Sequence, residues 1–397
     1  MSTILSPGDV KLRDGRSVDF ANLDIAATAP CLRAVADAVA ELLPFYGSVH
    51  RGAGALSERC TREYEQARET VADFVGCRDG DTVVFTRNTT DALNLLARAV
   101  PEGTTVLTFD GEHHANLLPW QQSLHLDAPR SPQEAVELLE WALRRQPCGL
   151  VSVTAASNVT GEVWPVAALA EVAHRYGARL AVDAAQLAPH APVDLTALGA
   201  DYVAFSGHKL YAPFGAGVLA GRADWLDAAE PYLAGGGASA SVGDDLDVRW
   251  ATGPARHEAG TPNLLGAVAI AAACRALAAA DHSAERALVA RLRAGLARLP
   301  HVEELRLFEA DAERVGIVSF AVLGEDPGAL ATTLGRDHGI GVRTGLFCAH
   351  PLTRRLLSEA TARIAPSAPV PPQAVRASFG LGTTEAHIDR LLEALRR

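Results

Sequence analysis

Tyr202-Val203-Ala204-Phe205-Ser206-Gly207-His208-Lys209 decides the reading of this chain: an apolar strand, a turn of small residues, and then a lysine. A short way upstream, the apolar run Arg179 to Val182 ends on Asp183-Ala184-Ala185-Gln186. Strand ends in open α/β sheets face the ligand crevice, which places the lysine and the aspartate together. An amine and a carboxylate in one crevice suit pyridoxal phosphate. The lysine forms a Schiff base with the aldehyde, and the carboxylate keeps the pyridine nitrogen protonated so that the ring withdraws electrons. The competing reading is a surface lysine and a satisfied strand-end aspartate, and four residues alone do not choose between the two.

Working outward, apolar runs recur at Thr82 to Thr86, Thr105 to Phe109, Gly149 to Thr154 and Gly217 to Ala220, with helical patterns between them. One helix opens at Ser131-Pro132-Gln133-Glu134, a capping box with proline at the first helical position. Another runs from about Val166 to Tyr176 and stops at Gly177. Alternating strands and helices predict an α/β fold with a mostly parallel sheet covered on both faces. After about residue 260 the pattern changes. Leu288, Leu292, Leu296 and Leu299 mark a helix, Gly316 to Val322 a strand, and Pro327 to His338 a helix capped by Asp326. Gly341 to Arg343 and Val375 to Phe379 read as strands, and Ile388, Leu391, Leu392 and Leu395 as the apolar face of a last helix. The proline-rich run 365–372 reads as a loop. The expected division is a large domain over 20–258 and a smaller α+β domain from 1–19 and 259–397.

Composition sets the class. The chain has 397 residues, 48% hydrophobic and 21% charged, which fits a globular protein with a large core. A net charge of −11 argues against nucleic acid or an anionic membrane as partner. No apolar run is long enough to span a bilayer, and the first residues lack a secretory signal pattern, so a cytoplasmic location is expected. The six cysteines are scattered without C-x-x-C spacing, which disfavours zinc, redox motifs and a disulfide framework.

Further candidates follow the strands. Phe85-Thr86-Arg87-Asn88-Thr89-Thr90-Asp91 turns from strand to helix, where backbone N–H groups and threonine hydroxyls bind phosphate, or where threonine and aspartate simply cap. In Glu112-His113-His114-Ala115-Asn116 the histidines lack metal-ligand partners, and a flat imidazole stacked on an aromatic ring fits better than a metal; a polar loop is the plainer reading. Asn158 touches a cofactor or a substrate carboxylate, or else serves the turn before Gly161. Arg256 to Asn263 marks a tight domain junction. Arg376 is either a surface residue or the fork that grips an α-carboxylate. Cys348, with His350 nearby, is a structural cysteine or a loop nucleophile.

Together these segments resemble the class V aminotransferase family of fold-type I pyridoxal-phosphate enzymes, and within it the cysteine desulfurase/selenocysteine lyase branch. The resemblance runs through Val49-His50-Arg51-Gly52, Asn88-Thr89-Thr90-Asp91-Ala92, Glu112 to Asn116, Asp183 to Gln186, Ser206 to Lys209, Glu258 to Asn263, Arg343-Thr344-Gly345 with Cys348-Ala349, and Arg376-Ala377-Ser378. It implies a seven-stranded-type sheet and these roles. Lys209 carries the Schiff base and moves protons. Asp183 pairs with the pyridine nitrogen, Gln186 with the phenolic oxygen, and His113 stacks on the ring. Thr89, Thr90, Ser206 and His208 hold the phosphate, which Thr261 reaches from the other subunit of a homodimer. Asn158 and Arg376 bind the carboxylate of an amino-acid substrate. Cys348 accepts sulfur and passes it to an acceptor protein. The family usually has two histidines where this chain has Leu346-Phe347, and Tyr-Asn-Thr where it has Gly382-Thr383-Thr384. An apolar loop is expected to desolvate the Cys348 thiol and slow its attack on sulfur unless His350 compensates. Two other readings stay open: a C–S lyase, aminotransferase or epimerase that uses Lys209 without Cys348, and a non-catalytic scaffold, which need not keep both Lys209 and Asp183.

Overall fold

A computed structural model describes residues 3–309 and 311–396. Its centre is a seven-stranded sheet built from β1 (Asp81–Thr86), β2 (Val106–Phe109), β3 (Ser123–Leu126), β4 (Leu150–Thr154), β5 (Arg179–Asp183), β6 (Tyr202–Ser206) and β7 (Gly217–Arg222). The order across the sheet is β1-β7-β6-β5-β4-β2-β3. Pairing is parallel from β6 to β3, and β7 runs antiparallel to both β6 and β1. Successive side chains bury on opposite faces. Leu107, Val151, Leu180 and Val203 join one core, and Val106, Leu150, Ala181 and Tyr202 the other. That is why these strands read as continuous apolar runs rather than as alternation. Helices α1 (Arg33–Leu42), α2 (Ala55–Phe74), α3 (Thr89–Ala99), α4 (His114–Leu117), α5 (Pro132–Leu143) and α6 (Val166–Arg175) belong to this layer system.

The helix α7 (Leu264–Ala278) lies past residue 258 yet packs Leu264, Ala267, Val268 and Ala271 against Leu42, Cys60, Tyr64 and Ala67 of α1 and α2. Beyond it, α8 (Ser283–Leu296) and α11 (Glu385–Ala394) cover a four-stranded antiparallel sheet ordered β10-β11-β13-β12. Its strands are Val302–Glu304, Ile317–Val322, Arg343–Gly345 and Ala374–Ser378 as β10 to β13, with a two-stranded ribbon β8 (Ser239–Val242) and β9 (Val248–Trp250) before them. The helices α9 (Pro327–His338) and α10 (His350–Ile364) complete this unit, and α9 is capped by Asp326 as its sequence predicts. Leu299 lies beyond the end of α8 but stays buried in the same core. The N-terminal segment joins this unit too: Ala21 pairs with Ile340, and Asp19 bonds His387 at 2.7 Å. Among the described residues no single helix is long and apolar enough to cross a membrane.

Candidate active site

The parallel strands deliver their last residues to one pocket of about 280 Å³, near the lower end of the roughly 300–1,000 Å³ of small-molecule sites. β5 ends on Asp183 and β6 on Ser206, with Lys209 three residues on; the loop after β2 brings His113, and the turn after β4 brings Asn158. Thr89 and Thr90 enter from the start of α3, whose N-cap Asn88 accepts the Asp91 N–H. Gly217 lets β7 pass beneath that turn, because a Cβ there would lie 2.5 Å from Asn88 Cα. From the smaller unit come Arg343, Phe347, Cys348 and Arg376. Of the residues expected from sequence, Lys209, Asp183, His113, Thr89, Thr90, Asn158, Gln186, Ser206, His208, Arg376 and Cys348 all line this pocket. Thr261 does not; it stands exposed on the surface of the same chain.

Electrostatics sort these groups. Asp183 is buried, and its Oδ1 accepts the Ala185 N–H at 3.0 Å. Burial pushes its carboxyl up, and the Lys209 charge and that N–H pull it back. Burial pushes the Lys209 amine down to about 8 against the opposing pull of Asp183, with Arg376 and Arg343 adding to the fall. A lysine in this range is a usable nucleophile near neutral pH. His113 is driven down to about 3 by burial and then by the Lys209, His114 and Arg376 charges, so its ring is neutral. Its Nδ1 accepts the Ala115 N–H at 3.0 Å, which leaves the ring proton on Nε2.

The phosphate-type donors are in place. Thr89 Oγ1 and Ser206 Oγ lie 2.6 Å apart, and the Thr89 N–H donates to Ser206 Oγ at 2.8 Å. His208 Nδ1 pairs with Thr28 Oγ1 at 2.8 Å. Gln186 Nε2 donates to the Ala26 carbonyl at 3.0 Å and keeps a second N–H. Arg376 is buried, with burial holding its guanidinium down at about 10 against the opposing pull of Asp24. Nη1 donates to the Asn158 carbonyl at 2.9 Å and Nη2 to Asp24 Oδ1 at 3.5 Å, while Nε is buried without a partner among the described residues.

The cysteine loop differs from its sequence expectation. Leu346 packs on the core and Phe347 is buried beneath the Arg376 guanidinium, 4.9 Å from its ring centre, but Cys348 itself is exposed. The apolar residues therefore turn away from the thiol instead of covering it. Phe347 and Cys348 both have left-handed backbones, with φ of 51° and 53°. Their carbonyls are held by Asn158 Nδ2 at 2.7 Å and the His114 N–H at 2.7 Å. His350 stacks edge to face on His114, with ring centres 4.5 Å apart. Arg343, Phe347 and Asp24 were not among the site residues expected from sequence, although Arg343 lies within a segment that carries the resemblance. Asp24 sits between the two arginines, 3.6 Å from Arg343 and 3.5 Å from Arg376. Among the described residues no three histidine, cysteine or acidic side chains gather as a metal site.

The aminotransferase class-V family model matches residues 21–391. A cysteine desulfurase of Klebsiella pneumoniae is 35% identical, the alignment covering 97% of this chain and 95% of the relative. A probable cysteine desulfurase of Mycolicibacterium paratuberculosis is also 35% identical over 94% of this chain, which spans 54% of that longer relative. The solved apo structure of a cysteine desulfurase from Thermococcus onnurineus superposes with a TM-score of 0.84 at 33% identity, covering 95% of this chain and 94% of the other.

Proposed function

This chain belongs to the class-V aminotransferase family, and on that premise we propose that it is a pyridoxal-phosphate-dependent cysteine desulfurase, converting L-cysteine and the Cys348 thiol into L-alanine and a Cys348 persulfide. One observation carries the reading: the exposed Cys348 lines the same pocket as the buried Lys209, Asp183 and Arg376. A lyase or aminotransferase has no need of a thiol there. The relatives named as cysteine desulfurases support the same activity.

The pocket's donors fit the cofactor. A buried amine and a buried carboxylate of opposite charge act on each other in the pocket, and the buried Arg376 guanidinium keeps an N–H that none of the described residues satisfies. Lys209 would hold the aldehyde, Asp183 the ring nitrogen, Gln186 the phenolic oxygen and His113 the ring face. Thr89, Thr90, Ser206 and His208 would hold the phosphate, with Thr261 from a second copy in a homodimer. When bound, the group supplies an electron sink at the Cα of an amino acid. The remaining work falls to side chains. Arg376 and Asn158 bind the substrate carboxylate and so orient it, Lys209 moves the proton at Cα, and the Cys348 thiolate takes the sulfur. The persulfide on an exposed cysteine is then within reach of a sulfur-acceptor protein.

The test is mass spectrometry of Cys348 after incubation with L-cysteine, together with alanine release by the wild type and Cys348→Ser. One added sulfur on Cys348, lost with turnover in the serine variant, is the expected result. Full turnover of Cys348→Ser on the true substrate moves the assignment to a C–S lyase, aminotransferase or epimerase.

A further inference from the structure

Glu112 is a fully buried carboxylate for which the reading above has no task. It precedes His113 in the turn between β2 and α4. Oε1 accepts the Thr154 N–H at 2.9 Å, and Oε2 accepts from Asn116 Nδ2 at 2.8 Å. The Asn116 amide is itself bonded by Ser152 Oγ at 2.6 Å, and its backbone carbonyl by Trp120 Nε1 at 2.6 Å. Thr154 is in register with Asp183 on the neighbouring strand. Glu112 therefore ties the His113 turn to the strand ends beside Asp183.

The charges do not balance as two carboxylates. Asp183 has the Lys209 cation acting on it. Among the described residues no cation acts on Glu112; the only charge that does is the like charge of Asp183. An ionised carboxylate in such a place is costly, and the usual resolution is a proton. We propose that Glu112 is a positioning residue held as a neutral carboxylic acid, which fixes the His113 turn while leaving Asp183 as the sole negative charge at the ring nitrogen. The proposal rests on the cofactor reading above.

Burial supports it, pushing the Glu112 carboxyl up to about 8 in spite of the bonds from Asn116 and Thr154. The hydrogen-bond network accepts either state. A half-turn of the Asn116 amide swaps Oδ1 and Nδ2 between two nearly equivalent sites, so that Oδ1 receives the carboxylic proton and Nδ2 turns to Ser152 Oγ. Of the groups packed around Glu112, Asn116, Ser152, Thr154 and Trp120 do not titrate near neutrality. His113 on its own turn is held neutral, and Asp183 faces it from β5. Raising the pH through about 8 thus ionises Glu112 and adds a negative charge beside Asp183.

Glutamine is close to the neutral acid in shape and offers an N–H toward Asn116 where the acid offers its O–H; alanine removes both bonds. Pyridoxal phosphate affinity, followed by cofactor absorbance across pH, is measured for the wild type, Glu112→Gln and Glu112→Ala. At neutral pH, Glu112→Gln is expected to match the wild type within about twofold, and Glu112→Ala to bind about tenfold more weakly, the equivalent of one buried hydrogen-bond network left unmade. As pH rises past about 8, the wild-type profile is expected to depart from that of Glu112→Gln, which lacks this ionisation. Infrared spectra of the cofactor-free proteins at neutral pH are expected to show a protonated-carboxyl band that Glu112→Gln lacks, which tests the proton even if Glu112→Ala does not fold. Superimposed alkaline profiles, a Glu112→Gln variant as weak as Glu112→Ala, or no such band would each overturn the proposal. A wild type that binds no pyridoxal phosphate would instead overturn the cofactor reading, since the infrared measurement stands without it.

Discussion

Lys209 shows how a single residue acquires chemistry from its surroundings. Burial drops its amine to about 8, and Asp183 stops it from falling further. Raising the pH through that value deprotonates the amine, so the rate at which the apoenzyme captures pyridoxal phosphate is expected to climb to about pH 8 and then level off. A rate still climbing at the ordinary lysine range of about 10.4 would show an exposed amine. Asp183→Asn keeps the shape but removes the charge that, on the proposed cofactor reading, would hold the ring nitrogen protonated. It is expected to retain cofactor through Thr89 and Ser206 while turnover falls by orders of magnitude, as alanine release checks. Both residues were legible because each follows an apolar strand directly, a local signal. Glu112, Arg343 and Asp24 were not, because their meaning depends on partners more than a hundred residues away or on a neighbouring strand end. A buried acid and a surface acid look the same in a sequence.

Elements were readable where burial is two-sided. The strands β1, β2 and β4 to β7 stand within a residue or two of their apolar runs. β3 escaped notice because Ser123-Leu124-His125-Leu126 is an edge strand, half polar, with only Leu126 buried. The ribbon β8 and β9 likewise has no buried face. The cysteine loop was misjudged for another reason. Apolar residues before Cys348 predicted a covered thiol, but two successive left-handed residues swing Phe347 inward and Cys348 outward. Left-handed backbone at a residue with a Cβ costs about 1–2 kcal/mol, and such strain persists where function requires it. Cys348→Gly removes the Cβ at an exposed position and is expected to raise stability by about 1 kcal/mol relative to Cys348→Ala, which keeps it. Denaturation midpoints of the two variants check this, and equal midpoints would show an unstrained loop.

At the scale of the whole molecule the site exists only because two units meet, and the meeting is built from buried charge. Glu162, at zero exposure after β4, accepts the Leu307 and Phe308 N–H groups and the Arg314 guanidinium at 2.6 Å. Glu162→Ala leaves that guanidinium and both amides short of a partner, and is expected to cost about 3–5 kcal/mol in denaturant unfolding. A small loss would mean that Glu304, 3.2 Å from Arg314, takes over. The homodimer proposed above would add a second meeting, between chains. Thr261 stands exposed and outside the pocket of its own chain, and Leu43, Phe45, Tyr46 and Leu56 leave apolar surface bare. Both facts fit a two-fold dimer in which each copy lends Thr261 to the phosphate of the other. Mixing subunits tests this directly. Lys209→Ala and Thr261→Ala homodimers each lack a complete site, one without the amine and the other without the threonine. A hybrid of the two pairs an intact Lys209 with an intact Thr261 in one site and joins both defects in the other. Titration of the purified hybrid is therefore expected to show one site per dimer with wild-type pyridoxal phosphate affinity. If no such site appears, and the Lys209-bearing site binds as weakly as in the Thr261→Ala homodimer, then Thr261 serves its own chain; a Thr261→Ala homodimer that binds as tightly as the wild type would show that it serves no site.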